Sequence, residues 1–257
     1  MAKNILVDRE GPIVQVTMNR PERRNALSLE HMQELTHAFR DIGRGTDSAV
    51  VILRGNGPAF CAGHDLSEMV DRDPAFYREL FDVCIELMST IQSIPQPVIA
   101  QVHAVATAAG CQLVATCDLA VASTEARFAT PGVKIGLFCS TPMVAVSRAV
   151  GRKKAMEMLL TGEAISANDA LAAGLVNRVV DPNELASQTR ALAERIVSSS
   201  AYIVGIGKRA FYQQIELPQP MAYAYTKDVM STNASAADAQ EGMSAFLEKR
   251  PAKWCGR

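Results

Sequence analysis

Two features that define common classes of protein are absent from this sequence. No apolar stretch approaches the roughly 20 residues that a membrane-spanning helix needs. No long basic run occurs either, and the 26 basic and 27 acidic residues leave a formal net charge of -1. Without a concentration of positive charge, the chain has no electrostatic means of holding nucleic acid or an anionic membrane surface. We therefore expect neither as a partner.

The cysteines also lack a recognisable pattern. Six are present, at positions 61, 84, 111, 117, 139 and 255, and none forms a Cys-x-x-Cys pair or a Cys/His ligand spacing. The sequence therefore predicts no metal site. Most of these cysteines lie within apolar segments, which favours free thiols in a reducing compartment. Because the N-terminus shows neither a signal-peptide core nor an arginine-rich presequence, we expect a cytoplasmic protein.

What the sequence does contain is a series of apolar strands separated by helices. Its 257 residues can form one large domain or a domain with an appendage. Strands are predicted at 4–7, 13–18, 50–53, 98–102 and 119–122, and helical stripes among them indicate an α/β fold. From about Asp181 onward the strand signal disappears and helix-forming residues dominate. We expect a core over residues 1–190 and a helical region over residues 191–257.

Two turns rich in small residues are the most informative feature. They are Cys61-Ala62-Gly63-His64-Asp65-Leu66 and Ala106-Thr107-Ala108-Ala109-Gly110-Cys111-Gln112-Leu113, and each follows an apolar strand and opens a helix. Small side chains let a ligand approach the backbone, and the amides at a helix start have no intrahelical partner. Two such turns can direct two N–H groups at one oxygen, which is the requirement of an oxyanion hole. Each turn taken alone could equally be a tight strand-to-helix connection without a catalytic role.

Further motifs occur in a fixed order along the chain. They are Asn19-Arg20-Pro21, Arg24-Asn25-Ala26-Leu27, Gly55-Asn56-Gly57, Pro97-Val98-Ile99-Ala100, Cys117-Asp118-Leu119-Ala120, Leu160-Thr161-Gly162-Glu163, Gly174-Leu175-Val176-Asn177 and Glu241-Gly242. With the two turns, they make the whole chain resemble the crotonase superfamily, also called the enoyl-CoA hydratase/isomerase family. Segments 106–112, 128–132 and 136–142 look closest to its enoyl-CoA hydratase domain-containing protein 3 branch.

The resemblance implies an architecture that composition does not reveal. Members of this family have an α/β core of ββα units wound as a spiral, followed by a C-terminal helical region that packs at subunit contacts. They assemble as a homotrimer or as a dimer of trimers. The resemblance also implies an acyl-CoA thioester as the substrate. Coenzyme A is then part of that substrate, and no separate cofactor is expected.

The resemblance also assigns roles to individual positions. The thioester carbonyl would lie between the backbone N–H groups of His64 and Ala109. Lys249 matches a basic residue of the C-terminal helix that reaches the adenosine phosphate, although an ordinary solvated lysine is an equal alternative. The remaining residues expected along the coenzyme A path are Arg24, Ala26, Leu27, Ala62, Asp65, Leu66 and Ser67.

Two departures from the family pattern bear on the chemistry. Hydratases of this family use two glutamates to hold and activate water, and the matching positions here are Gln112 and Gly132. A glutamine can orient water but cannot take a proton near neutral pH, and glycine offers no side chain. The second oxyanion position is usually glycine in the family, but Ala109 retains the amide. We therefore expect a site that polarises a thioester and has little hydratase activity.

Other groups could replace the missing carboxylates. Ser140, with Cys139 beside it, stands where a dehalogenating branch carries its nucleophile, but no base neighbours it in sequence. The His64 imidazole could donate a hydrogen bond or transfer a proton, or it could simply form the pocket wall. A carboxylate could also enter from the acidic group after the first turn, which consists of Glu68, Asp71 and Asp73. Solvation is the ordinary role of such a group.

Local patterns assign structural roles to three further features. Asp65 with Glu68, and Ser166 with Asp169, match the capping box at the start of a helix. His103 is interpreted as a structural residue.

The sequence therefore favours an acyl-CoA-processing enzyme of fatty acid metabolism, named most naturally as an enoyl-CoA hydratase or isomerase and hence a lyase. The alternatives are a noncatalytic acyl-CoA-binding oligomer, or an isomerase, hydrolase or decarboxylase. A dinucleotide-binding protein is disfavoured because no Gly-x-Gly-x-x-Gly follows the first strand.

Overall fold

The computed structural model describes residues 3–257, which form ten strands and ten α-helices. The strands are β1 (Ile5–Glu10), β2 (Ile13–Met18), β3 (Val50–Gly55), β4 (Ala59–Cys61), β5 (Val98–Val102), β6 (Val105–Thr107), β7 (Leu119–Ser123), β8 (Arg127–Ala129), β9 (Ile165–Ser166) and β10 (Arg178–Val180). The helices are α1 (Leu29–Arg44), α2 (Pro74–Ser93), α3 (Ala109–Thr116), α4 (Pro142–Ala149), α5 (Arg152–Thr161), α6 (Ala167–Ala173), α7 (Leu185–Val197), α8 (Ala201–Gln214), α9 (Gln219–Ala234) and α10 (Ala237–Leu247).

The strands form two sheets. The larger sheet has the order β1-β2-β3-β5-β7-β10, with β1 antiparallel and the other neighbours parallel. The smaller has the order β4-β6-β8-β9. Strands β3, β5 and β7 of the larger sheet are each followed directly by a strand of the smaller one. The chain therefore advances as repeated pairs of strands, which confirms the α/β spiral implied by the resemblance.

The inner strands β2, β3, β5 and β7 of the larger sheet are buried on both faces, which explains why they read as nearly continuous apolar runs. Five of the six residues of the edge strand β1 are exposed. Val51 and Leu53 point into the main core, whereas Val50 and Ile52 pack on the opposite face against α7. On the core side, α1 contributes a stripe of Met32, Leu35, Phe39 and Ile42, all of which are buried. Helix α2 also turns an apolar stripe towards this core, with Leu80, Leu87 and Ile91 buried.

The chain after β10 is helical, as predicted. The division after residue 190 falls within α7 and stays a prediction. None of the residues of α9 is buried, whereas α8 is anchored through Lys208 to the end of α2. No helix in residues 3–257 is long and apolar enough to cross a membrane.

Candidate functional site

The two small-residue turns lie next to each other because the strands before them are paired. Strand β4 runs parallel to β6, with Cys61 opposite Ala106. The carboxyl ends of both strands therefore meet at one edge of the smaller sheet. The first turn continues into a 3₁₀ turn at Leu66–Glu68, and the second continues into α3.

Two glycines allow the turns to approach each other this closely. Gly63 has a φ of +95°, and a Cβ at this position would lie 2.9 Å from the Ala108 Cβ and 3.6 Å from the Ala109 nitrogen. At Gly110, a Cβ would lie only 2.1 Å from the Cys61 carbonyl oxygen. The first turn of α3 thus rests directly on the end of β4, and no larger residue fits between them.

The backbone amides of His64 and Ala109 are both without a hydrogen-bond acceptor in the part of the chain that the structure describes. The His64 amide donates to no described residue, although the residues on both sides of it form backbone hydrogen bonds. Asp65 N donates to Leu27 O (3.0 Å), and Leu27 N donates to Gly63 O (2.7 Å). Ala109 begins α3, where amides lack an intrahelical acceptor. Both amides therefore lack an acceptor from the protein, and Ala109 is fully buried.

Ala108 sets the direction of the second amide at the expense of backbone strain. Its φ of 50° and ψ of -118° are unusual for a residue with a Cβ, and such conformations cost of order 1–3 kcal/mol. Its own N–H donates to Ala129 O at 2.9 Å, which fixes the turn against β8. The strain is thus concentrated immediately before the amide of Ala109.

Arg20 and Asp65 form a buried ion pair behind the first turn, a role for this arginine that the sequence did not predict. Arg20 Nη2 lies 3.0 Å from Asp65 Oδ2, and its Nη1 donates to the Ala26 carbonyl oxygen at 2.6 Å. Asp65 also accepts from the amide and hydroxyl of Ser67. These hydrogen bonds, with the neighbouring guanidinium, hold the pKa of Asp65 below its usual value despite burial. The motif Asn19-Arg20-Pro21 was the available signal.

The His64 side chain is a largely buried, neutral imidazole. Its ring packs edge-on against Phe81 with the ring centres 5.6 Å apart. Burial lowers the pKa of His64 to about 4, so the ring is uncharged at neutral pH. Its Nε2 atom is buried and has no partner among the described residues. This arrangement agrees with a pocket wall and provides no base near neutral pH.

Gln112 lies one turn after Ala109 on α3 and is 4% exposed. Its Oε1 accepts from the Cys84 thiol, with the sulfur 3.8 Å away. Gln112 also lines a cavity of about 980 Å³ between α2, α3, α4 and α8. The site thus has an amide, and not a carboxylate, at this position.

Gly132 is enclosed by the loop that follows it. A Cβ there would lie 2.7 Å from the Leu137 carbonyl oxygen and 2.9 Å from Cys139 Sγ. The space that a longer side chain would need is therefore occupied by protein. Ser140 is exposed at the cavity, and its hydroxyl contacts only the Phe138 carbonyl, at 3.4 Å, within residues 3–257. Burial raises the pKa of Cys139.

The acidic residues after the first turn are occupied elsewhere. Glu68 accepts from the amide of Leu29 at the start of α1, so the capping box predicted with Asp65 does not form. Asp65 caps the 3₁₀ turn through Ser67 alone. Asp73 caps α2 by accepting from the Phe76 amide. Asp71 is exposed. Glu68 and Asp73 are thus both engaged at the starts of helices.

Two other structural interpretations agree with the contacts. The capping box of Ser166 and Asp169 is present at the start of α6. The His103 ring bonds to the Gly57 carbonyl oxygen at 2.8 Å.

The residues expected along the coenzyme A path differ in exposure. Arg24, Leu66 and Ser67 are exposed, Ala62 is partly exposed, and Ala26 and Leu27 are buried. Leu27 contributes through its backbone, which pairs with the chain on both sides of His64. Lys249 is exposed, but it follows the end of α10 with a φ of 56° and is not in that helix. Their roles stay predictions.

Comparison with known proteins gives concordant matches. The family model described as enoyl-CoA hydratase/isomerase matches residues 8–257. The mitochondrial enoyl-CoA hydratase domain-containing protein 3 of Xenopus laevis is 45% identical over 97% of this chain and 85% of that protein, and its human counterpart is 46% identical over 94% and 80%. A crystal structure of an enoyl-CoA hydratase from Mycobacterium smegmatis has a TM-score of 0.96 and 49% identity, covering 98% of this chain and 99% of that one. The family and branch inferred from the motifs are confirmed.

The expected cytoplasmic location is wrong. The relatives from Xenopus laevis and Homo sapiens carry the word mitochondrial in their names, which points to mitochondria and not to the cytoplasm. The cysteines did not reveal this, because buried free thiols indicate only a compartment that keeps thiols reduced, and do not distinguish among such compartments.

Proposed function

Because the chain belongs to the enoyl-CoA hydratase/isomerase family, we propose that it binds an acyl-CoA thioester and polarises the thioester carbonyl between the backbone N–H groups of His64 and Ala109. The observation that carries this proposal is the pair of amides without acceptors on two turns in contact. The backbone of Leu27 bonds to the residues on both sides of His64 and holds the first turn in place. The strained Ala108 donates to Ala129 and holds the second turn in place. Such preorganised donors suit the charge that develops on a thioester oxygen.

Carbonyl polarisation would stabilise an enolate formed at the carbon next to the thioester. One donor of this kind contributes roughly 10²–10³-fold to the rate of a reaction that develops an oxyanion. Ala109 adds the positive end of the α3 dipole, which also favours negative charge. The chemistry supported best is therefore one that passes through an enolate.

Water addition by a pair of glutamates is not part of the proposal. Gln112 stands at the first glutamate position and cannot accept a proton near neutral pH. Gly132 stands at the second, in contact with Leu137 and Cys139. A positioned general acid or base contributes typically ~10²–10⁴-fold, so hydration should be slow. Isomerisation, decarboxylation and thioester hydrolysis remain. The first two pass through an enolate, whereas hydrolysis passes through a tetrahedral oxyanion. Decarboxylation needs the oxyanion donors but no base.

Binding without turnover is the second candidate, and the acidic residues favour it. Glu68 and Asp73 satisfy helix starts, and Ser140 has no neighbouring base among the described residues. In this case the paired amides hold the thioester but no group moves a proton.

The coenzyme A portion would lie along the exposed residues of the two turns near Arg24, Leu66 and Ser67. Lys249 would reach the adenosine phosphate. We also propose a homotrimer or a dimer of trimers. Helix α9 supports an oligomer because it has no buried residue and exposes Met221, Tyr223 and Met230.

Infrared difference spectroscopy tests the polarisation directly. The purified protein is mixed with butyryl-CoA that carries ¹³C at the thioester carbonyl, and the carbonyl stretch of the bound ligand is compared with that in water. We expect a shift to lower frequency, because two N–H donors weaken the C=O bond. Binding without that shift would refute the role of the two amides, and failure to bind would refute the acyl-CoA proposal.

Mass spectrometry then separates the two candidates. A panel of enoyl-, 3-hydroxyacyl-, malonyl- and saturated acyl-CoA thioesters is incubated with the protein, beside a control without protein. Loss of carbon dioxide or release of free coenzyme A identifies a decarboxylase or a hydrolase, and chromatography detects isomers of equal mass. Ligands that are retained but unchanged indicate binding without turnover.

A further inference from the structure

The amide of Gln112 is oriented by a buried thiol. Gln112 Oε1 accepts a hydrogen bond from Cys84 Sγ at 3.8 Å. Burial raises the pKa of Cys84 to about 12, so this thiol keeps its proton and remains a donor. Because the carbonyl end of the amide faces Cys84, the NH₂ end faces the other way. The glutamine therefore presents its donor group on the side away from α2.

That NH₂ group has no hydrogen-bond partner within residues 3–257. Gln112 is nevertheless 4% exposed, and it lines the cavity of about 980 Å³. Its nitrogen is not among the buried side-chain atoms sealed off without a partner, so it remains accessible from the cavity. A ligand that displaces water from this donor must supply an acceptor, because leaving the donor unpaired in a dehydrated site is costly.

The position of this donor indicates which part of a ligand it meets. Ala109 and Gln112 are three residues apart in the first turn of α3, so Gln112 begins about 4.5 Å along the helix axis from the Ala109 amide. An acyl group whose C1 oxygen is held by the Ala109 amide would place C3, two bonds further along, near the Gln112 side chain. The cavity arginine, Arg148, is paired with Glu216 at 2.9 Å, so no free cation favours a carboxylate.

We propose that Gln112 Nε2 donates a hydrogen bond to a carbonyl oxygen on C3 of the acyl group, which makes 3-oxoacyl-CoA thioesters the preferred ligand class. The proposal rests on the proposed function, since it assumes that the thioester carbonyl lies at the paired amides. A saturated acyl group lacks an acceptor on C3 and leaves the amide unpaired. A site built around a polar contact discriminates against such a ligand.

The experiment compares two ligands that differ only at C3. Butyryl- and acetoacetyl-CoA are used as analogues in which a methylene replaces the sulfur, so that neither is hydrolysed, and dissociation constants are measured by calorimetry. The native protein should bind the 3-oxo analogue roughly three- to tenfold more tightly, as expected for one neutral hydrogen bond. Gln112→Met has a similar shape but no donor, and it should bring the ratio close to one.

Two cysteine variants complete the design. Cys84→Ala removes the thiol that holds the amide, and the preference for the 3-oxo analogue should fall without a new charge or bulk in the site. Cys117→Ala removes a buried thiol that lines the cavity beyond the end of α3, and it should keep the native preference. These two variants also test the proposal if Gln112→Met fails to fold.

The outcomes separate this proposal from the one on which it rests. Equal affinity of the native protein for both analogues, or a 3-oxo preference that survives in Gln112→Met or in Cys84→Ala, would overturn the role of Gln112 while leaving acyl-CoA binding intact. If neither analogue binds, the acyl-CoA proposal itself fails. A preference for the 3-oxo analogue that falls in Gln112→Met and in Cys84→Ala, but not in Cys117→Ala, supports the role of Gln112.

Discussion

Substitution of Gly110 by alanine should separate the paired turns and misplace the amide of Ala109. The new Cβ would lie 2.1 Å from the Cys61 carbonyl oxygen, well inside the roughly 3.5 Å at which carbon atoms make ordinary contact. The backbone of β4 cannot yield easily because it is paired with β6. The first turn of α3 must therefore move by about 1 Å, a displacement that can cost on the order of 10²-fold in rate.

The same contact determines the expected change in stability. Adding a methyl group to a packed core typically costs about 1–3 kcal/mol, which urea unfolding of Gly110→Ala can measure. Gly207→Ala is a matched control, since this glycine lies in α8 and is exposed, and a Cβ added there would meet no atom within 4 Å. There the substitution should stabilise the protein by roughly 0.5–1 kcal/mol because alanine is the better helix former.

The functional consequence is measured on the carbonyl stretch of a bound ¹³C-labelled thioester. In Gly110→Ala the shift to lower frequency should shrink, because one of the two donors no longer points at the oxygen. Gly207→Ala should retain the full shift. A folded Gly110→Ala protein with native stability and an unchanged carbonyl shift would show that the contact with Cys61 does not set the position of the amide.

Three further predictions concern buried groups. Burial lowers the pKa of His31 and His64 from 6.5 to about 4, so the unfolded chain binds protons at a higher pH than the folded protein does. The unfolding free energy should therefore fall as pH drops from 6.5 to 4, by up to about 1.4 kcal/mol per pH unit for each histidine. A flat profile in urea unfolding across this range would contradict this prediction. Arg20→Met leaves Asp65 buried without its partner and should lower the unfolding free energy by about 3 kcal/mol. Adding Asp65→Asn should recover part of this loss. A double variant no more stable than Arg20→Met would argue against the ion pair. Gly132→Glu should destabilise the fold and leave crotonyl-CoA hydration unimproved, since the added side chain meets the following loop; a spectrophotometric rise in hydration in a stable variant would contradict that steric reasoning.

The sequence predicted five of the six strands of the larger sheet, namely β1, β2, β3, β5 and β7, but not the three-residue β10. Strands β2, β3, β5 and β7 were recognisable because burial on both faces requires apolar runs, whereas β1 is largely exposed. The smaller sheet was not predicted. Its strands have two or three residues each, too short for an alternating pattern to be recognised.

The candidate site was predicted in part. The small residues at Gly63 and Gly110 indicated close approach of the backbone, and the structure adds the contacts that require it. The motif Asn19-Arg20-Pro21 marked Arg20 but not its role, because its partner Asp65 is 45 residues away and the pairing depends on how two turns meet. The predicted bond between Asp65 and Glu68 gave way to a contact between Glu68 and α1 for the same reason.

The sequence by itself determined the family and the α/β class, since these depend on the identity and order of residues. It also predicted that Gln112 and Gly132 replace two glutamates. Only the tertiary structure decided that the two free amides lie side by side, that Cys84 turns the Gln112 amide towards the cavity, and that the space beside Gly132 is filled. These facts are distances between segments far apart in the chain. Packing fixes such distances, and no local pattern of residues encodes them.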